Sequence, residues 1–97
     1  MSSHAHRQLC AALLRHAAPA QLLDTRERPW ASITFSGTRH WMTLEVCAPS
    51  CATLMRSLPE HDFALRGHFL ADLAVTGCAT FGGQARLSIE ALTVCEA

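Results

Sequence analysis

The sequence predicts a two-layer α+β domain: a four-stranded antiparallel sheet with two helices on one face, in the order α-β-β-α-β-β. Apolar residues recur at helical spacing in two short segments, residues 9–17 and 54–58. Between and after them the period changes to two, most cleanly through His40, Met42, Leu44 and Val46. Turn formers separate these segments at Pro19, Gly37, Pro49-Ser50, Pro59 and Gly82-Gly83. Two hairpins then pair into one sheet, and the helices bury its apolar face.

Residues 7–18 read as an amphipathic helix. Leu9, Cys10, Leu13, Leu14 and Ala17 fall on one stripe, with Arg7, Gln8 and Arg15 off it. Pro19 ends it, because its ring clashes with the preceding turn and it offers no N–H. Leu22 and Leu23 suggest one more apolar turn, and residues 24–29, charged and without period, read as a loop. A strand is expected from Trp30, with Ala31, Ile33 and Phe35 inward and a turn at Ser36-Gly37-Thr38. The return strand points His40, Met42, Leu44 and Val46 inward and Arg39, Trp41, Thr43 and Glu45 outward.

Pro49 and Ser50 open a second helix through Leu58, with Leu54, Met55 and Leu58 buried and Pro59 as its end. A third strand is expected over residues 63–76, bent at Gly67, and a fourth over 85–95 after the Gly82-Gly83 turn. The expected sheet core is Ile33, Phe35, Met42, Leu44, Val46, Phe69, Leu73, Val75, Leu87 and Ile89.

Ninety-seven residues bound the chain to one domain, 1–97, its first six residues expected to fray. An apolar share of 49% argues against disorder. The eight basic residues are all Arg and cancel eight acids, which disfavours a polybasic tail or a broad nucleic-acid-binding face. Near-zero charge gives little protection against association, so a homo-oligomer, most simply a dimer, is expected. No stretch approaches the roughly 18 apolar residues of a membrane span, and the apolar run 9–14 is short for a secretory signal. The expectation is a cytoplasmic protein.

Five cysteines, Cys10, Cys47, Cys51, Cys78 and Cys95, form no framework spacing; in a reducing compartment they behave as small buried apolar residues. Cys47 and Cys51 are separated by three residues rather than the redox-typical two, and no second Cys/His pair follows at zinc-finger spacing, although His61 and His68 exist. Structural thiols are the simpler reading. Cys51, in the first turn of a helix, is the one thiol with a physical case for an activated nucleophile.

By parity, the outer sheet face carries Trp30, Arg39, Trp41, Glu45, Arg66, His68, Leu70, Asp72, Arg86, Glu90 and Leu92. A face open to water should be polar. Aromatics and Arg are enriched in protein interfaces, so Trp30, Trp41, Leu70 and Leu92 are the expected anchors of a symmetric dimer. A single bulge would reverse the assignment; Leu92 and Val94 after Ala91 point to such a slip near the C-terminus. The same face offers a second reading, in which Arg39, Arg66 and Arg86, with His68, Asp72 and Glu90, hold a small anion. Cross-strand ion pairs with Glu45, Asp72 and Glu90 explain these arginines more simply.

The remaining signals are weak. Phe81-Gly82-Gly83-Gln84 lacks the Lys and the following helix of a phosphate loop. His4 and His6, with Cys10 one turn on, could capture nickel or copper, but a solvated chain end accounts for them. His16 favours a helix C-terminus, His40 is expected in the core or at its rim, and His61-Asp62 fits a capped turn. Arg26, Arg28, Arg39, Trp30 and Trp41 could suit a single nucleic-acid strand, against the neutral overall charge. Acid–base chemistry would need His68 to converge with Asp72 or Glu90. The expectation is therefore a non-enzymatic interaction or assembly module without cofactor or metal, self-associating through its outer sheet face. A domain that binds a small anionic molecule is the alternative.

Overall fold

In the computed structural model, which describes residues 3–96, the elements are α1 (His4–Ala17), β1 (Ala20–Ala31), β2 (Ser36–Cys47), a 3-10 turn (Ala48–Ser50), α2 (Cys51–Glu60), β3 (His68–Phe81) and β4 (Gln84–Cys95). The strands form one antiparallel sheet in the order β1-β2-β4-β3. α1 packs on β1 and β2, and α2 on β3, so both helices cover one face. The α+β architecture and element order are those expected.

The alternation of β2 and β4 decides what is buried. Met42, Leu44, Val46, Ala85, Leu87, Ile89 and Ala91 face the helices and are nearly inaccessible, together with Leu9 and Leu13 of α1 and Leu54 and Leu58 of α2. Burying a Leu or Ile side chain contributes about 1.5–3 kcal/mol, so this two-layer sandwich is the main source of stability. Ser3, not a later residue, caps α1, its hydroxyl accepting from the His6 N–H. Residues 4–6, expected to fray, form the helix's first turn; residues 1 and 2 lie outside the described residues.

Several boundaries move. The expected loop 24–29 is strand: β1 pairs along β2 from Ala20 to Ala31, with a bulge between Leu22 and Asp24. It is an edge strand, charged on both sides, and therefore shows no apolar alternation. The expected strand around Ile33 and Phe35 is the β1–β2 turn, where Ser32 N–H donates to the Phe35 carbonyl. Ile33 is fully exposed and Phe35 is 54% exposed, so neither belongs to the core.

β3 starts five residues later than expected, because Gly67 (φ 78°) turns the chain sharply between Leu65 and His68. Phe63 is buried ahead of that turn, whereas Phe69 is 44% exposed and Met55 41%. β3 also continues to Phe81, through residues read as connection; the turn at Gly82-Gly83 is where the sequence placed it. α2 runs through Pro59 to Glu60, and Ser50 caps it by position but without a side-chain hydrogen bond.

Two glycines in the sheet differ in what a side chain would meet. A Cβ on Gly37 would overlap the Thr93 carbonyl oxygen and press on the Trp30 indole, whereas one on Gly77 would stand 3.8 Å from Ser88 Oγ, an ordinary contact. Gly37→Ala is expected to cost about 2–3 kcal/mol by overpacking. Gly77→Ala should stay within about 1 kcal/mol of wild type. Urea midpoints of the two variants check the contrast.

Candidate functional site

The outer face follows from strand register. Each residue there has its neighbours directly opposite on adjacent strands, giving successive rows across β1-β2-β4-β3. The first row is Trp30, Gly37, Val94 and Phe69; the second Arg28, Arg39, Leu92 and Asp72; the third Arg26, Trp41, Glu90 and Ala74. A later row sets Gln21, Glu45, Arg86 and Ala79 side by side.

The first row is apolar, and Val94 within it is only 5% exposed although no helix covers this face. Gly37 leaves the space that the Trp30 ring fills. Below it, in the second and third rows, charge is divided between the two halves of the sheet. Arg26, Arg28 and Arg39 lie on β1 and β2, while Asp72 and Glu90 lie on β3 and β4. Farther along the strands, by contrast, Asp24 and Glu45 lie on β1 and β2 and Arg86 on β4. Arg28 stands directly opposite Arg39, a like-charge pairing that costs stability. Arg39 reaches Glu90 at 3.9 Å, and the Arg26 guanidinium lies 4.7 Å above the Trp41 ring.

Of the expected interface anchors, Trp30, Trp41 and Leu92 are on this face and half-buried. Leu70 is not: it pairs with Thr93 on the inner face and packs against the core. A bulge after Leu70 resets the parity, so Phe69 takes its outer place while Asp72 keeps the expected one. His68 likewise lies on the inner side, opposite Cys95. The slip expected in β4 lies instead in β3, at two irregularities, and β4 pairs regularly through Val94.

The expected anion-holding arginines do not converge. Arg66 lies in the turn before β3, its backbone N–H and carbonyl bonded to the Gln8 side chain. Arg86 belongs to a row six residues from Leu92, the neighbour of Arg39, or roughly 20 Å along the strand. There it pairs with Glu45 at 3.4 Å, as the ion-pair reading expected.

Composition gave no sign of a second polar site, buried under α1. His6 (3% exposed) and His40 (fully buried) stack with ring centroids 5.0 Å apart and Nδ1 atoms at 2.8 Å. His40 Nε2 lies 2.8 Å from Thr93 Oγ1, and Thr93 donates to the Thr38 carbonyl at 3.5 Å. Since Thr93 spends its proton on a carbonyl, it accepts from His40. His40 is therefore the Nε2–H tautomer, and its Nδ1 accepts from the Nδ1–H of His6. His6 Nε2 is left as an acceptor, facing the Thr25 hydroxyl, Cys10 Sγ at 3.7 Å and a Glu27 carboxylate oxygen at 3.9 Å.

Burial lowers the His40 pKa to about 4, with the nearby His6 and His68 acting the same way and Glu27 opposing. Burial pushes Glu27 up, but hydrogen bonds from Ser3 and the nearby His6 and His40 hold it below the ordinary value on balance. At the far end of α1, His16 bonds Ser57 and packs on His61 and Phe63; partial burial, then the His61 charge, lowers its pKa. Among the described residues no three His, Cys, Asp or Glu side chains are placed to hold a metal ion.

Cys51 Sγ lies against Cys78 Sγ of β3 rather than beside Cys47. Cys47 and Cys95 are exposed; Cys10 is half-buried and burial raises its pKa. Alkylation of unreduced native protein near neutral pH should modify Cys47 and Cys95 first, with Cys10 about tenfold slower. Peptide mass mapping reads the order. Thr93→Val, which leaves the His40 Nε2–H without its acceptor, should cost about 1–3 kcal/mol in denaturant unfolding. Comparison with family models, curated proteins and solved structures gives no match for this chain.

Proposed function

We propose that this protein is a non-enzymatic assembly module whose outer sheet face packs on the same face of a second copy. The observation that carries the reading is the division of charge across two adjacent rows of that face, those of Arg28 and Arg26, beside an uncovered apolar row. A two-fold axis parallel to the strands places β1 of one copy over β3 of the other. Arg28 and Arg39 then meet Asp72 of the second copy, and Trp30 meets Phe69. The like-charged Arg28–Arg39 pair, unfavourable within one chain, gains a counter-charge in the pair of chains.

Size is consistent with this. Four strands spaced about 4.8 Å apart, each roughly twelve residues at about 3.3 Å, give a face of roughly 760 Å2. That is close to the roughly 800 Å2 per partner of a standard interface. Trp30, Trp41, Phe69 and Leu92 supply the aromatic and aliphatic anchors such interfaces favour.

Sedimentation of the wild-type protein should show a dimer. Trp41→Asp should abolish it while the monomer stays folded, since Trp41 lies outside the core. Arg28→Asp should weaken association about tenfold or more through two symmetry-related pairs. Adding Asp72→Arg should restore most of it. A wild-type monomer at about 100 μM, weaker than most specific interfaces, would exclude the assembly. Indifference of the dimer to Trp41→Asp and to the charge swap would move it to another surface.

A further inference from the structure

We propose that the His6–His40 pair is a proton-operated latch, holding α1 on the sheet while its hydrogen-bond chain is intact and releasing the helix when both rings are charged.

The chain runs from Thr25 through His6 and His40 to Thr93 and the Thr38 carbonyl, joining α1, β1, β2 and β4. It contains one lone pair that faces a carboxylate, His6 Nε2 beside Glu27. One proton enters there and leaves every other link in place. A second proton has only His40 Nδ1 to take, the atom that accepts from His6. Two N–H groups then oppose each other across 2.8 Å, the link between α1 and the sheet is lost, and two buried cations repel.

The groups facing the pair come from every packed element. α1 contributes Cys10, with His4 beside His68; β1 contributes Glu27; β3 contributes His68, which adds to the repulsion; β4 presents only Thr93. Among the described residues Glu27 is the single counter-charge, and Ser3 at the start of α1 already binds it. Release of the helix thus also frees the carboxylate that steadied the first proton.

The sign of the effect follows from His40. Its pKa is near 4 with the helix docked and near 6.5 once the ring meets water. The latch is therefore fully effective above pH 6.5 and weakens as pH falls toward 4. By pH 5 the closing equilibrium should have dropped about thirtyfold. The sheet has no such group elsewhere among its buried residues, since its remaining core is apolar apart from Thr93. The titrating pair sits at the contact between α1 and the sheet, so the helix is the element that it acts on.

Amide hydrogen exchange of the full chain, read by mass spectrometry as protection factors at pH 7.5, 6 and 5, tests the latch. Peptides from 4–17 should lose protection about tenfold or more between pH 7.5 and 5, while peptides from β2 and β4 hold theirs. His40→Met and His6→Gln should each flatten the pH dependence of α1. If His40→Met fails to fold, His6→Gln and the wild-type profile suffice. Unchanged α1 protection down to pH 5 would overturn the proposal. So would parallel loss in α1 and the central strands, which would mean global unfolding, or an undiminished pH dependence in His6→Gln.

Discussion

The pairing of β2 with β4 fixes the face that every other residue of the sheet presents. These two strands alone have neighbours on both sides, and they meet in unbroken register from Gly37–Val94 to Cys47–Gln84. Met42 sits opposite Ile89, Leu44 opposite Leu87 and Val46 opposite Ala85. A one-residue slip would carry all of them to the open side. The edge strands inherit their parity from this pair, and only they carry the irregularities: one bulge in β1 and two in β3.

That division explains what could be read in the sequence. β2 and β4 were legible because burial on one side forces strict alternation, and the Gly82-Gly83 turn and the stripe of α1 were legible for equally local reasons. β1 was not. An edge strand has one hydrogen-bonded flank, and its inner side here meets the polar start of α1, so Thr25 and Glu27 stand where apolar residues were sought. Charge and lack of period, which suggested a loop, are what such an edge requires. In β3 the first part was misassigned for another reason. The bulge after Leu70 exchanges the faces of His68, Phe69 and Leu70 while leaving Asp72 and Ala74 as parity from the hairpin placed them. Trp30, Trp41 and Leu92 thus lie on the outer face where parity placed them, whereas His68 and Leu70 were assigned by the parity that the bulge reverses and Arg66 falls in the turn ahead of the strand.

The buried histidines belong to neither kind of signal. His40 was visible as an inward residue of β2, but its partner lay at a chain end that composition marks as solvated. Nothing local in the sequence brings position 6 over position 40. What brings them together is the cap at Ser3, which starts the helix early enough for its first turn to reach the sheet. Without that turn, His40 Nδ1 would lose its partner in an apolar layer, at a cost of about 1–3 kcal/mol. The start of α1 therefore satisfies that atom of the sheet, and the sheet in turn orders the start of α1.

The two faces of the sheet are unusual in opposite senses. The covered face buries a titratable pair at the α1 end, and the uncovered face exposes an apolar row at the same end, since Trp30, Val94 and Phe69 lie in the row next to Thr38 and Thr93. Gly37 connects them: it makes room for the Trp30 ring, and its Cα approaches the Thr93 carbonyl so closely that no side chain fits. Thr93 is the residue that accepts from His40. A shift of Trp30 on the outer face would therefore bear on the backbone of the strand whose side chain ends the inner hydrogen-bond chain. Coupling between association and helix docking would pass through these three residues, because they are the point where both faces contact the same few atoms.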